Sequence, residues 1–246
     1  MAGGLVFWSA LALAALCVGL AKGGFGGAGM VAVVIMAGIF PPMESTGAIL
    51  PMLLTGDLLA VWLFRAHARF ALVVRILPPA LAGILAGWAL MPRVPAADFG
   101  RFMGFILLGL MGIVVVRQVR PALLAFPAER RRFAWPLGFL AGATTMVSNA
   151  AGPVMTLYLL ACRLPKMEFV ASAAWFFFAV NAAKVPFSLS LGLISPRSLA
   201  LNLAVAPMVV AGVFLGRWIL ARIGQRTFDW VMIVLSALGA IRMIIG

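Results

Sequence analysis

Two short runs hold most of the residues in this chain that could do chemistry. Lys22 is followed by Gly23, Gly24, Gly26, Gly27 and Gly29, and Thr144, Thr145, Ser148 and Asn149 are followed by Gly152 and Pro153. The first run exposes backbone N–H groups where a helix starts near Met30. A helix N-terminus carries about half a positive elementary charge and unsatisfied donors, so the chemistry it suits is anion binding. The alternative is that the glycines only let two helices pack closely. Lys22 either adds a full charge to a bound anion or snorkels to the headgroups. In the second run, the hydroxyls and the amide either cap the helix that starts near Pro153 or donate to substrate oxygens.

Asp57 is the only acidic residue inside a long apolar run, Ser45–Phe64. A carboxylate there is costly and by default functional, as a proton relay or ion partner; the structural alternative is a salt bridge to Lys22 or Lys184. Asn181 and Lys184 close a later apolar segment. Glu44 and Glu168 sit at segment ends, where capping or interfacial charge suffices. Enzyme chemistry is not expected. The chain has one histidine, lacks the GxxxxGK[ST] phosphate loop, and offers neither a metal-spaced cluster nor a nucleophile beside a base. No cofactor is expected. Cys17 and Cys162 lie in apolar runs and read as packing residues.

The elements that must position these groups are membrane helices. Hydrophobic residues make up 65% of the 246 positions and charged residues 10%, against about 25% charged in soluble domains. A span of the hydrocarbon core takes about 20 apolar residues. Apolar runs between charges and prolines give ten segments. Five lie in the first half: Leu5–Ala21, Met30–Phe40, Ser45–Phe64, Phe70–Met91 and Phe99–Arg117. Five lie in the second: Phe133–Ala143, Val154–Cys162, Phe169–Ala183, Ser198–Leu220 and Phe228–Ile245. Met30–Phe40, Phe133–Ala143 and Val154–Cys162 are too short to cross without tilt, and read as half-helices or arms of re-entrant hairpins. The start Met1–Gly4 has no basic region, so a cleaved signal peptide is not expected.

The net charge of +13 does not indicate nucleic acid. Arg65, His67 and Arg69, then Arg117, Arg120 and Arg130 to Arg132, then Arg217, Arg222 and Arg226 flank apolar segments, which is the positive-inside pattern and suits anionic lipid. With the Arg65–Arg69 and Gln118–Arg132 loops cytoplasmic, Arg163 and Lys166 also fall inside and both termini outside.

The halves can be overlaid at an offset of 123 residues, so that Gly29 meets Gly152 and Pro42 meets Pro165; one further residue of slippage brings Asp57 to Asn181. An odd number of crossings separates the two breaks. The fold expected is therefore an all-α polytopic membrane protein of two inverted repeats, each broken near the midplane. The N-terminal repeat is 1–120 with its break at 22–29, a basic cytoplasmic linker is 121–132, and the C-terminal repeat is 133–246 with its break at 144–153.

The runs GGFGGAGMVAVVIMAGIFPP, LPMLLTGDLLAVWLFRAHARF and GFLAGATTMVSNAAGPVMTLYLLACRLPKMEFVASAAWFFFAVNAAKVPFSL resemble the sulfite exporter TauE/SafE family, and the resemblance extends from about Leu5 to Ile245. It implies a bacterial inner-membrane transporter of about eight spans in two repeated halves, for sulfite, sulfonates or related anions. Gly23–Gly29, Asp57 with Arg65, and the TTMxxNAxGP stretch with Lys166, Asn181 and Lys184 match the family pattern. Thr144–Asn149 departs from the second glycine-rich motif of many members, which leaves the substrate open.

Together these readings suggest a secondary transporter of a small oxyanion working by alternating access. The expected substrate-binding residues are Lys22, Gly23, Gly24, Gly26, Gly27, Gly29, Thr144, Thr145, Ser148, Asn149, Gly152 and Asn181, with Asp57 as the proton-coupling group. An uncoupled anion channel is the main alternative, and a membrane accessory subunit of sulfur metabolism is another. The expected partners are the anion and a bilayer with anionic lipid, with a homodimer as an open option and no nucleic acid.

Overall fold

The structure, a computed structural model, describes residues 2–93 and 131–245 together with isolated positions between 101 and 119. Most of the expected span Phe99–Arg117 and the linker residues 121–130 lie outside the described residues. Ten α-helices and no strands are found among those described. They are α1 (Ala2–Lys22), α2 (Ala28–Ile39), α3 (Pro42–Ala48), α4 (Leu50–Phe64), α5 (Phe70–Leu90), α6 (Arg131–Ser148), α7 (Ala151–Ala161), α8 (Lys166–Ser190), α9 (Pro196–Arg222) and α10 (Gln225–Ile245). Five helical stretches are long and apolar enough to cross a membrane, and α2 and α7 are apolar but short. The chain is thus an all-helical multi-pass membrane protein.

The largest differences from the sequence expectation are at three elements, of which α8 runs past the expected end at Ala183 to Ser190. The segment Phe133–Ala143 continues as helix to Ser148, because Thr144 Oγ1 and Ser148 Oγ donate back to the carbonyls of Leu140 and Thr144 at 2.7 and 3.1 Å, keeping polar side chains satisfied inside the helix. The segment Ser45–Phe64 is interrupted at Ile49, between α3 and α4. Pro51 lacks the N–H that a continuous helix would need there.

Small residues set which helices touch. Gly19 and Gly23 of α1 face Gly212 and Gly216 of α9: a Cβ on Gly19 would lie 2.2 Å from the Val209 carbonyl oxygen, and one on Gly23 2.4 Å from that of Val213. The same arrangement recurs between α5 and α6. A Cβ on Gly142 would meet the Ala80 carbonyl oxygen at 1.8 Å, and one on Gly83 that of Phe139 at 2.1 Å. Within lipid the hydrophobic effect does not drive helices together, so this close backbone approach is what joins them. In both pairs residue numbers rise together along the contact, so the helices run parallel.

The basic loops collect at one end. Arg69 Nε contacts Glu168 Oε2 at 2.6 Å, and its backbone N–H donates to Ser172 Oγ at 3.0 Å. Lys166 Nζ donates to the carbonyls of Leu220 and Ile223, capping the C-terminus of α9. The start of α5, the start of α8 and the end of α9 therefore share that end. Since α6 runs parallel to α5 and α7 leads into Lys166, the α6–α7 pair leaves from this end and returns to it. The α1–α2 pair folds back likewise at the opposite end, where the Phe7 and Phe40 rings lie 6.1 Å apart.

A leucine at Gly142 requires the α5–α6 backbones to separate, at a cost beyond the roughly 1–3 kcal/mol of ordinary overpacking. Gly142→Leu is expected to lower the melting temperature of the purified protein sharply or prevent its folding. Gly38→Leu, on an open face with nothing within 4 Å, is expected to leave it within a few degrees of the parent. Equal melting temperatures for the two variants would contradict this packing.

Candidate functional site

The two breaks are built differently and meet. In the first, Gly24 has φ +135°, a backbone conformation for which glycine is suited, and it turns the chain from α1 toward α2. The N–H groups of Gly26 and Gly27 find no acceptor among the described residues. In the second, Asn149 at φ 53° takes the left-handed position that ends α6, with the N–H groups of Asn149 and Ala150 bonded to the carbonyls of Thr145 and Thr144. No side chain caps α7, so the capping reading of Thr144–Asn149 fails. A Cβ on Gly152 would lie 3.6 Å from the Gly26 carbonyl oxygen. The breaks are in contact.

A cavity lies between them. Of the residues expected to bind substrate, Lys22, Gly24, Gly26, Gly29, Thr145, Asn149, Gly152 and Asn181 line it. Gly23 and Gly27 do not: they are packed against Gly216 of α9 and Leu235 of α10. The close-packing and anion-binding readings of the glycine run are thus divided among its members. Thr144 and Ser148 also stay out of the lining, since their hydroxyls are spent on their own helix.

The charged groups form a buried cluster at the cavity wall. Lys22 Nζ lies 2.7 Å from Asp57 Oδ1 and 4.4 Å from the centre of the Phe177 ring, a cation–π contact. Asn181 Nδ2 donates to Asp57 Oδ2 at 2.7 Å. Asp57 itself does not line the cavity and is fully buried. Of its two sequence readings, the salt-bridge geometry is present, and the partner is Lys22. Lys184 instead reaches the second break, donating to Asn149 Oδ1 at 2.5 Å and to Thr145 Oγ1 at 3.4 Å. Asn149 Nδ2 donates to the Thr46 carbonyl at 2.9 Å. The Asn149 amide is thus held from both sides, with one N–H spent on Thr46 and the second left over at the cavity wall. The Thr145 hydroxyl hydrogen stays available toward the cavity.

Three site residues were not visible as such in the sequence. Lys184 is 1% exposed and lies behind Thr145 and Asn149, whereas the sequence suggests it only as a partner for Asp57. Thr156 lines the cavity from α7, and Phe177 lines it from α8; both sit in apolar runs where nothing marks them.

A family model described as sulfite exporter TauE/SafE matches residues 11–243. The chain belongs to the sulfite exporter TauE/SafE family. That match spans both breaks, Asp57 and Lys184, so the cavity belongs to the part shared with the family. The members of this family are transporters rather than enzymes. No significant match is found among curated proteins or among solved structures.

Because Lys22 and Asp57 are buried together, removing one strands the other. Asp57→Leu and Lys22→Met are each expected to destabilise the TauE/SafE protein by about 3–5 kcal/mol, while the double variant Lys22→Met/Asp57→Leu recovers much of that loss. Denaturation of the four proteins of this cycle checks it, and strictly additive effects would contradict the pairing.

Proposed function

We propose that this TauE/SafE chain carries a small sulfur oxyanion, sulfite or an organosulfur anion, across a bacterial inner membrane by alternating access, with the anion seated between the two breaks. The observation that carries this reading is the charge count at the cavity: two amines, Lys22 and Lys184, against one carboxylate, Asp57. With both amines as ammonium groups, one positive charge is left over in the membrane interior, and a monoanion in the cavity balances it. Lys22, Thr145 and the unbonded N–H groups at the first break supply donors to the anion.

The two halves act as inverted repeats in this reading. Exchanging them turns the α1–α9 pair into the α6–α5 pair, and these share the same glycine packing. The cavity lining obeys the same exchange: Lys22 answers Thr145, Gly26 answers Asn149, Gly29 answers Gly152 and Val33 answers Thr156, all at an offset of 123. The hydrogen bond between Asp57 and Asn181 joins counterparts at an offset of 124. Such symmetry supports two states in which the halves swap roles.

Asp57 is the proposed proton-coupling group. An anion that draws Lys22 to itself leaves the carboxylate without its cation, and a proton neutralises it. Proton and anion then move together without net charge.

Counterflow in proteoliposomes tests the carrier. Sulfite on the far side is expected to stimulate labelled uptake, and flux indifferent to trans substrate would indicate a pore. Lys184→Met is expected to reduce uptake about tenfold or more, the scale of a lost bond to a charged group. Asp57→Asn is expected to keep exchange but lose its response to a pH gradient; an unchanged response would remove Asp57 from coupling.

A further inference from the structure

Where the second half brings the unbroken α8 to the cavity, the first half brings a stretch whose helical ladder is interrupted at Ile49. Pro51 cannot donate to the preceding turn, and carbonyls on that turn lose their helical partners. In a bilayer such groups must be satisfied by the protein. Two asparagines do this: Asn149 Nδ2 donates to the Thr46 carbonyl at 2.9 Å, and Asn202 Nδ2 to the Ala48 carbonyl at 2.8 Å. In α8 the position matching Pro51, at an offset of 124, is Trp175.

The cavity is one-sided in the same sense. Val170 and Ala174 line it, whereas Thr46 and Leu50, their counterparts at the same offset, are buried outside its lining. Gly26, which answers Asn149, has no side chain with which to reach across. The lining therefore reaches further along α8 than along α3 and α4, and Asn149 stands between the cavity and Thr46.

Asn149 is oriented from both sides, since its Oδ1 accepts from Lys184 Nζ while its Nδ2 holds Thr46. Lys184 has no carboxylate within ion-pair distance among the described residues. We infer that Lys184 is a positioning residue through which an anion in the cavity controls this closure. An anion oxygen that draws Lys184 Nζ to itself takes from Asn149 the group that orients its amide. The bond to Thr46 then weakens, and the Thr46 carbonyl is released to rejoin a continuous helical ladder of the kind α8 has at its counterpart Val170. The inference rests on the anion reading of the cavity, but the latch itself can be tested without any anion.

The test uses two reporters in full-length protein carrying Cys17→Ala and Cys162→Ala: Thr46→Cys on the closed side and Val170→Cys on the open side, each followed by its rate of reaction with a small maleimide. Asn149→Ala and Lys184→Met are each expected to speed Thr46→Cys about three- to tenfold, the scale of one lost hydrogen bond, and to slow Val170→Cys. Lys184→Arg, which keeps a donor for Asn149, is expected to stay near the parent at both reporters. An unchanged rate at Thr46→Cys overturns the latch, and so does a rise at both reporters together, which would mean a loosened fold. Methanesulfonate added to the parent is expected to act as these two variants do, speeding Thr46→Cys and slowing Val170→Cys. If it moves neither rate while Asn149→Ala moves both, the latch stands and the anion reading of the cavity falls.

Discussion

Backbone that leaves helical geometry inside a bilayer has no water to satisfy it, so it survives only where protein surrounds it or a polar cavity meets it. The rest of this structure depends on that constraint. The turn at Gly24 and the turn at Asn149 are stable because each is set against the other, with Gly26 and Gly152 in contact between them. The glycines at 19, 23, 212 and 216, and those at 83 and 142, bring the supporting helices close enough to wall in both turns. Packing and site share one cause: small residues let backbones approach, and the approach leaves a cavity lined by what the broken segments expose.

The two sides of that cavity are chemically unequal. The first break offers backbone and one amine, and that amine is held by Asp57 and the Phe177 ring. The second offers a hydroxyl and an amide, both already engaged by Lys184. Each half thus brings an amine to the meeting of the breaks by a different route, Lys22 from its own break and Lys184 from α8, behind Thr145 and Asn149. In the proposed reading both are protonated, and an anion offsets the charge that one carboxylate leaves over. The resident polar groups hold one another until a ligand competes for them.

Much of this was legible in the sequence. The breaks stand out because glycine and proline are expensive in a membrane helix, and the offset of 123 residues matched positions that do line one cavity. What the sequence concealed follows from three-dimensional packing. Gly23 and Gly27 look identical to Gly24 and Gly26 in a string of letters, but helical phase turns them toward α9 and α10. Thr144 and Ser148 look as available as Thr145 until their bonds to the preceding turn are counted. Lys184 reads as a charge near the end of an apolar segment, yet α8 continues to Ser190 and carries it into the interior. Hydropathy also separated the arms of each hairpin without showing that they return to the end they left.

The central claim is that the surplus amine at the meeting of the breaks binds one anion. Calorimetric titration of the purified protein with sulfite tests it most directly, with Lys22→Met and Lys184→Met titrated alongside. The account predicts one anion bound per chain in the parent, with affinity reduced about tenfold or more in each variant. Undiminished binding in both variants would contradict it.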